Sequence, residues 1–326
     1  MKKRVLITGA NSLLGVNTVN AFLAAGYAVR GLLRNKASYT GDAHPDLELY
    51  EGNFTDPEFT EKAIKDCSYV VHCAAKTGQC GPYDSFHKVN VSATEQLIKA
   101  AIANGVKRIV YVGSANIFAF GDGNTPGNEE RPICHPFSGS AYAISKFKAR
   151  QCLCAYTSQI EIVTVCPTFM LGAYDSRPSS GRIVLMGYGR RIRFYPPGGK
   201  NFVHVQDVAE GIVAAMDKGH NGECYLLSNE NISYKDFFRS LAEKSGKNTV
   251  LIPVPKWILL AAGTLGDIAG HLGLKTEATR NNMEILCVHN YYSNAKSVRE
   301  LGMTYRPVSQ AMDDSIAWFR MRGLIR

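Results

Sequence analysis

The chain has 326 residues, 45% hydrophobic and 20% charged, with a formal net charge of +9. That length exceeds a usual single core, so one large domain with an appended lobe, or two domains, is expected. No run of about eighteen apolar residues occurs, which excludes a spanning helix, and no basic run interleaved with aromatics argues for nucleic acid, so the positive balance points to phosphate-rich cofactors, anionic substrates or an anionic membrane surface.

Met1-Lys2-Lys3-Arg4 has the charge of a signal-peptide n-region, but the apolar stretch behind it, Val5 to Ile7, is too short for an h-region. The nine cysteines are scattered without a CxxC pair. They read as free thiols in a reducing, cytoplasmic compartment, and no metal site is expected.

Arg4 to Thr8 is a short, β-branched run that reads as a strand buried on both faces. Gly9-Ala10-Asn11-Ser12-Leu13-Leu14-Gly15 follows without a gap, and Val16 to Ala25 reads as a helix. Strand, glycine turn and helix are the context of a dinucleotide fingerprint, whose backbone N–H groups meet a pyrophosphate. Gly9 makes the tight turn and Gly15 allows close helix–strand packing. Ser12 stands where such loops carry their middle glycine, and its hydroxyl can donate to a phosphate.

Tyr27 to Leu33 is the second strand, ending in Arg34-Asn35-Lys36. An acid here would take the ribose 2′-hydroxyl of NAD, whereas an arginine accommodates the 2′-phosphate of NADP. NADP(H) is therefore the expected cofactor, with NAD the alternative. Leu47 to Glu51 is a third strand, followed by Asn53 and Phe54. Pro57 to Asp66 is a helix that Asp56 or Thr55 caps. Tyr69 to Cys73 is the fourth strand, Ser85 to Asn104 one long helix, and Lys107 to Val112 the fifth strand, ending at Ser114. Phe120 to Pro136 is a loop, Ser138 to Tyr156 a helix, and Glu161 to Cys166 the sixth strand. This alternation behind a glycine turn predicts a doubly wound parallel sheet. Ser12, Arg34, Asn53, Ala74, Ser114 and Pro167 all fall just past strand ends, where such sheets bind ligands.

Tyr142 and Lys146 lie at i and i+4, on one helix face. A free phenol has a pKa near 10. A cation one turn away is expected to lower it and suit it to passing a proton to or from an alcohol oxygen.

With these pieces in hand, the chain resembles an extended short-chain dehydrogenase/reductase of the NAD-dependent epimerase/dehydratase family over nearly its whole length. The matching segments are Thr8-Gly9 with Gly15, Val71 to Ala75, Asn90-Val91 with Thr94, Val106 to Val112 with Ser114, Tyr142 with Lys146, and Phe202 to Ala209. The resemblance implies that Ser114 polarises the substrate oxygen and Tyr142 is the acid/base. It implies that Lys146 holds the nicotinamide ribose and tunes Tyr142, and that Asn90 supports a proton path through water. The implied cofactor contacts are Gly9, Asn11, Ser12, Leu13, Leu14, Gly15, Arg34, Lys36, Asn53, Phe54, Cys73, Ala74, Ala75, Lys76, Val112, Tyr142, Lys146, Pro167, Thr168 and Phe169. Substrate contacts are expected at Ala115, Asn116, Met170, Arg182 and His204, although a structural role fits His204 as well. Asn53 replaces the family's usual aspartate, and Ser12 its usual glycine. Val29 to Arg34 and Cys166 to Gly172 look like dihydroflavonol reductases and steroid-dehydrogenase-like ketone reductases.

The implied fold is a Rossmann domain over residues 1–166 and a smaller mixed α/β substrate lobe over 167–326, with about 203–226 packing back on the first. In the lobe, Arg177, Arg182, Arg190, Arg191 and Arg193 read as a solvated face, Arg182 excepted. Val205 to Lys218 is a helix, Asn229 to Gly246 a helix after a loop with Ser233 as cap, and Ser309 to Arg322 a closing helix. The apolar window 254–273 carries two readings: a core helix of the lobe, or the wall or lid of a pocket for a long hydrophobic substrate, resting on a membrane surface.

Together these features predict an NADP(H)-dependent oxidoreductase that reduces a ketone on a hydrophobic substrate, such as a 3-keto lipid base or a sterol-like or flavonoid-like ketone. The alternative is a nucleotide-sugar epimerase or dehydratase with bound NAD(P); Lys200-Asn201 in place of the usual Arg-Asp weakens it. A non-catalytic NADP-binding protein is the third option, since fold alone does not fix function. The expected partners are a small-molecule substrate, peripheral contact with the inner membrane face, and, as relatives do through the helices carrying Asn90 and Tyr142, a second copy of the chain.

Overall fold

The computed structural model describes residues 2–78, 81–274 and 276–325. Cys80 lies outside them; the other eight cysteines are free thiols. In chain order β1 (Arg4–Thr8), α1 (Leu13–Ala24), β2 (Ala28–Leu33), β3 (Leu47–Glu51), α2 (Pro57–Ile64), β4 (Tyr69–His72), α3 (Tyr83–His87), α4 (Ala93–Ala103), β5 (Arg108–Val112), α5 (Ala141–Cys154) and β6 (Glu161–Pro167) follow one another. Then come β7 (Phe169–Leu171), α6 (Arg182–Gly187), β8 (Ile192–Tyr195), β9 (Gly199–His204), α7 (Val205–Lys218), β10 (Cys224–Leu227), β11 (Glu230–Ser233), α8 (Tyr234–Ser245), β12 (Val250–Pro253), α9 (Lys256–His271), α10 (Arg280–Leu286), β13 (His289–Asn290) and α11 (Val308–Met321).

Seven strands form one parallel sheet in the order β10-β6-β5-β4-β1-β2-β3. The chain runs one way from β1 and the other way from β4, so the order reverses between these two strands, where the carboxyl ends open a crevice. Val5, Leu6 and Ile7 are fully buried, as a strand covered on both faces must be. After β6 the chain leaves the sheet, and then returns through α7, which packs against α1, to add β10 at the edge. A second sheet, β11-β9-β13 with β7 on β9, and the ribbon β12-β8 stand beyond it. Their core is aromatic: Phe202 stacks on Phe237 at 4.6 Å, within a cluster that includes Tyr234, Trp318 and Phe319. No helix among the described residues is long and apolar enough to cross a membrane.

Three expected elements differ. The helix expected over 85–104 is split by a wide π turn at Lys88–Ser92, which holds the buried Asn90. Such turns recur at functional sites. The helix expected from 229 begins only at Tyr234, because Glu230–Ser233 pairs with β9; Ser233 still caps it, accepting from Asp236 N–H. Helix α9 is not a core helix. Only its Gly263 and Gly266 are buried, while Trp257, Leu265 and Leu272 are 69%, 68% and 78% exposed.

Candidate active site

The glycine turn is built by its own side chains. Gly9 has φ +69°, and a Cβ there would lie 3.0 Å from Ala74 Cα. A Cβ on Gly15 would lie 2.1 Å from the Gly9 carbonyl oxygen, so neither position admits a larger residue without movement. The Ser12 hydroxyl accepts from Gly15 N–H and donates to the Gly9 carbonyl, both at 2.9 Å. It is the N-cap of α1, and its hydrogen is spent inside the loop rather than offered to a phosphate. The N–H groups of Leu13 and Leu14 have no acceptor among the described residues, and both residues line the cleft. A helix N-terminus with orphan donors fits a pyrophosphate.

The cleft has a volume of about 760 Å³. Its walls include Gly9 and Asn11 to Leu14 from the turn, Arg34 after β2, Asn53 and Phe54 after β3, and Cys73 to Lys76 after β4. Val112 and Ser114 at the end of β5, Tyr142 and Lys146 on α5, Pro167 and Thr168 at the end of β6, and Met170 in β7 also line it. Arg34 has no hydrogen-bond or ion-pair partner among the described residues and stands exposed at one end. Asn53 Oδ1 accepts from Thr55 N–H, which leaves its amide hydrogens free for an adenine edge.

A buried chain of hydrogen bonds fixes the cleft floor. Thr94 donates to the Asn90 carbonyl at 2.8 Å, so its oxygen accepts from His72 Nε2 at 3.0 Å. His72 Nδ1 then accepts from the Thr8 hydroxyl at 2.7 Å, and Thr8 accepts from Ala74 N–H at 3.1 Å. Burial holds His72 neutral, its pKa pushed down to about 3, as a single ring N–H requires. The Asn90 side chain accepts from Lys76 N–H and donates to the Lys76 carbonyl and to Ser145 Oγ. Ser145 donates in turn to the Tyr142 carbonyl at 2.7 Å. Asn90 therefore ties the strand end after β4 to the helix bearing Tyr142. Both its amide hydrogens are engaged, its oxygen accepts one bond, and Asn90 is not among the residues that line the cleft.

Ser114 and Tyr142 both line the cleft, and the Ser114 side chain acts to favour the phenolate of Tyr142. Lys146 Nζ donates to the Val112 carbonyl at 2.7 Å and to Tyr111 Oη at 3.2 Å, and lies over the Tyr111 ring. The expected acidic phenol is not what this geometry produces. Burial pushes the Tyr142 pKa up to about 12, with only the Ser114 side chain opposing, and burial pushes Lys146 down to about 8. The ammonium is spent on a carbonyl and a second tyrosine instead of on the phenol, so desolvation wins.

Several expected contacts lie away from the cleft. Gly15 serves packing, and Lys36 stands outside with its N–H on Glu51. Phe169 packs on Phe202 in the lobe. Ala115 is buried in a small core, and Asn116 meets Asn290 instead. Arg182 is paired with Glu277 at 2.7 Å. His204 is fully buried, caps α7 by accepting from Gln206 N–H, and bonds Asp314 at 2.9 Å. Conversely, Arg177, placed above on a solvated face, lines the cleft with Asp175, Ser176, Ser179 and Ser180. Asp175 accepts from Ser179 and Gly181 N–H and so shapes this loop. The signal available in the sequence is the place of Arg177 in the polar loop that follows Gly172.

A family model described as the NAD dependent epimerase/dehydratase family matches residues 5–228. The chain is 28% identical over 327 residues to sterol demethylase protein B of Methylococcus capsulatus, covering 98% of this chain and 99% of that one. It is 27% identical to a Stigmatella aurantiaca protein named 4-hydroxy-2-methyl-3-oxo-4-farnesyl-3,4-dihydroquinoline-1-oxide ketoreductase, over 96% of this chain and 95% of that one. The solved structure of gox2253 superposes with a TM-score of 0.84 at 28% identity, covering 99% of this chain and 100% of that chain.

Proposed function

The chain belongs to the NAD-dependent epimerase/dehydratase family, and within it we propose that this NAD(P)-dependent short-chain dehydrogenase/reductase is an NADP(H)-dependent ketone reductase acting on a hydrophobic substrate. The observation that carries this is one continuous cleft with the glycine turn and Arg34 at one end and Ser114, Tyr142 and Lys146 at the other. The relatives named for sterol and farnesyl-quinoline chemistry support an apolar substrate.

In this assignment residues 1–166, with 203–226 packed back on them, hold the cofactor, and the rest of 167–326 shapes the substrate side. The turn donors of Leu13 and Leu14 take the pyrophosphate, Arg34 the 2′-phosphate, Asn53 and Phe54 the adenine, and Lys146 the nicotinamide ribose. When bound, the nicotinamide supplies the hydride. Ser114 holds the carbonyl oxygen and Tyr142 gives it a proton. A phenol with a pKa of about 12 stays protonated at neutral pH and is still far more acidic than an alcohol. That is the form in which it can deliver a proton to the ketone oxygen. The same reading has the protein work in the cytoplasm, peripheral to the inner membrane face.

Arg34→Ala is expected to weaken NADPH by about ten- to a hundredfold, the loss of one charge-assisted bond, with little change for NADH. Equal weakening of both, measured by titration of each cofactor, contradicts the NADP assignment. Interconversion of nucleotide sugars without NADPH consumption supports the epimerase in its place.

A further inference from the structure

Helix α9 turns one face inward and, among the described residues, leaves the other without a partner. A Cβ on Gly263 would lie 2.7 Å from Arg280 Cα, and one on Gly266 1.8 Å from the Ala278 carbonyl, so the glycine side packs on α10 and its lead-in. Trp257, Ala261, Leu265, Ile268 and Leu272 recur every three or four residues and share the opposite face. It is exposed throughout. The ribbon β8/β12 runs straight into this helix. Ile192 pairs with Val250, and Phe194 lies two residues on, so these three side chains share one face of the ribbon. They are 56%, 60% and 57% exposed. A soluble surface seldom leaves so many large apolar side chains uncovered on neighbouring elements.

The charge carried on the segments that form this face is mostly positive. Arg190, Arg191, Lys247 and Lys256 are exposed beside it. Between Gly246 and Leu274 the one acid is Asp267, which turns inward to accept from Arg280 N–H. Pairing two copies through this face would set those cations against each other. An anionic bilayer meets both the apolar stripe and the positive rim.

The hairpin of α9 and α10 is also tied to both sides of the substrate end. Glu284 pairs with His135 at 2.9 Å, and Asn281 packs on Gly139, just before the helix that bears Tyr142. Glu277 pairs with Arg182, just after the cleft-lining loop Asp175 to Ser180.

We propose that α9 and the ribbon β8/β12 dock on an anionic lipid bilayer, and that the α9–α10 hairpin thereby sets the substrate mouth against the lipid. A hydrophobic ketone then passes from bilayer to cleft without crossing water. This rests on the ketone-reductase assignment for its substrate, but the docking face itself does not.

The test is co-sedimentation with phosphatidylcholine vesicles, and with vesicles of three parts phosphatidylcholine to one part phosphatidylglycerol. The protein has two tryptophans, and Trp318 is buried, so a blue shift in emission reports Trp257. Wild type is expected to pellet with the anionic vesicles, with a blue shift, and to be released by salt. The pair Leu265→Ser and Leu272→Ser is expected to reduce pelleting about tenfold or more, with NADPH oxidation by a short, water-soluble ketone unchanged. Arg190→Glu with Arg191→Glu is expected to abolish the preference for anionic lipid. Wild type left in the supernatant with both vesicles overturns the proposal. So does a dimer that the serine variant splits, which assigns the face to a second copy. Vesicle binding without ketone turnover leaves the docking face standing and removes only the reductase assignment.

Discussion

Tyr142→Phe is expected to reduce ketone turnover by about a thousandfold, with NADPH affinity unchanged. A positioned general acid contributes roughly 10²–10⁴-fold, and Tyr142 is the phenol that lines the cleft together with Ser114. The substitution removes one oxygen from a half-buried side chain at the cleft wall and leaves the ring to pack as before. The hydrogen bonds of its helix do not pass through that oxygen: Ser145 holds the Tyr142 carbonyl, and Asn90 holds Ser145. A fall in kcat with an unshifted cofactor Kd is therefore the signature of a lost proton donor. Turnover within a few-fold of wild type removes Tyr142 from the chemistry.

Lys146 makes the second large prediction, and its sign differs from that of an ordinary surface lysine. Burial lowers its pKa to about 8, so the charged form is the costly one and is lost as pH rises through that value. Cofactor capture needs the charge, whereas Tyr142, at about 12, keeps its proton over the same range. The kcat/KM for NADPH, which reports groups of the free enzyme, is expected to be level below about pH 8 and to fall about tenfold for each unit above it. Lys146→Arg, permanently charged, is expected to lose that fall. Lys146→Met is expected to be about a hundredfold or more slower at neutral pH, with no fall at 8. A wild-type profile level to pH 10 contradicts the role.

Much of the first half of the molecule is legible in the sequence because its signals are local. β-branched runs stop at glycine or small residues, so β1, β3 and β5 stand within a residue of expectation, and every ligand-facing strand end from Ser12 to Pro167 lines the cleft. The parts that escape depend on long-range contacts. Asn90 sits in a helical pattern, and the π turn comes from its side chain reaching Lys76 and Ser145. Tyr142 and Lys146 have the right spacing to interact, but Val112 and Tyr111, far away in sequence, claim the ammonium. The free valency of Ser12 depends on a carbonyl three residues back. Among the lobe's arginines the sequence reading favours Arg182 for the site, but Glu277 removes it, and the loop pinned by Asp175 brings in Arg177 instead. Apolar spacing in 254–273 identifies a helix but not which side is covered, since that depends on how closely α10 approaches the glycines.

The most direct measurement is the fate of deuterium carried at C4 of NADPH on the transferring face, followed by mass spectrometry and NMR of the product of a hydrophobic ketone. The account predicts one deuterium per molecule, on the carbinol carbon, formed at the rate NADPH is consumed and lost with Tyr142→Phe. Label retained on the cofactor while a nucleotide sugar is epimerised, or product formed without label, contradicts it.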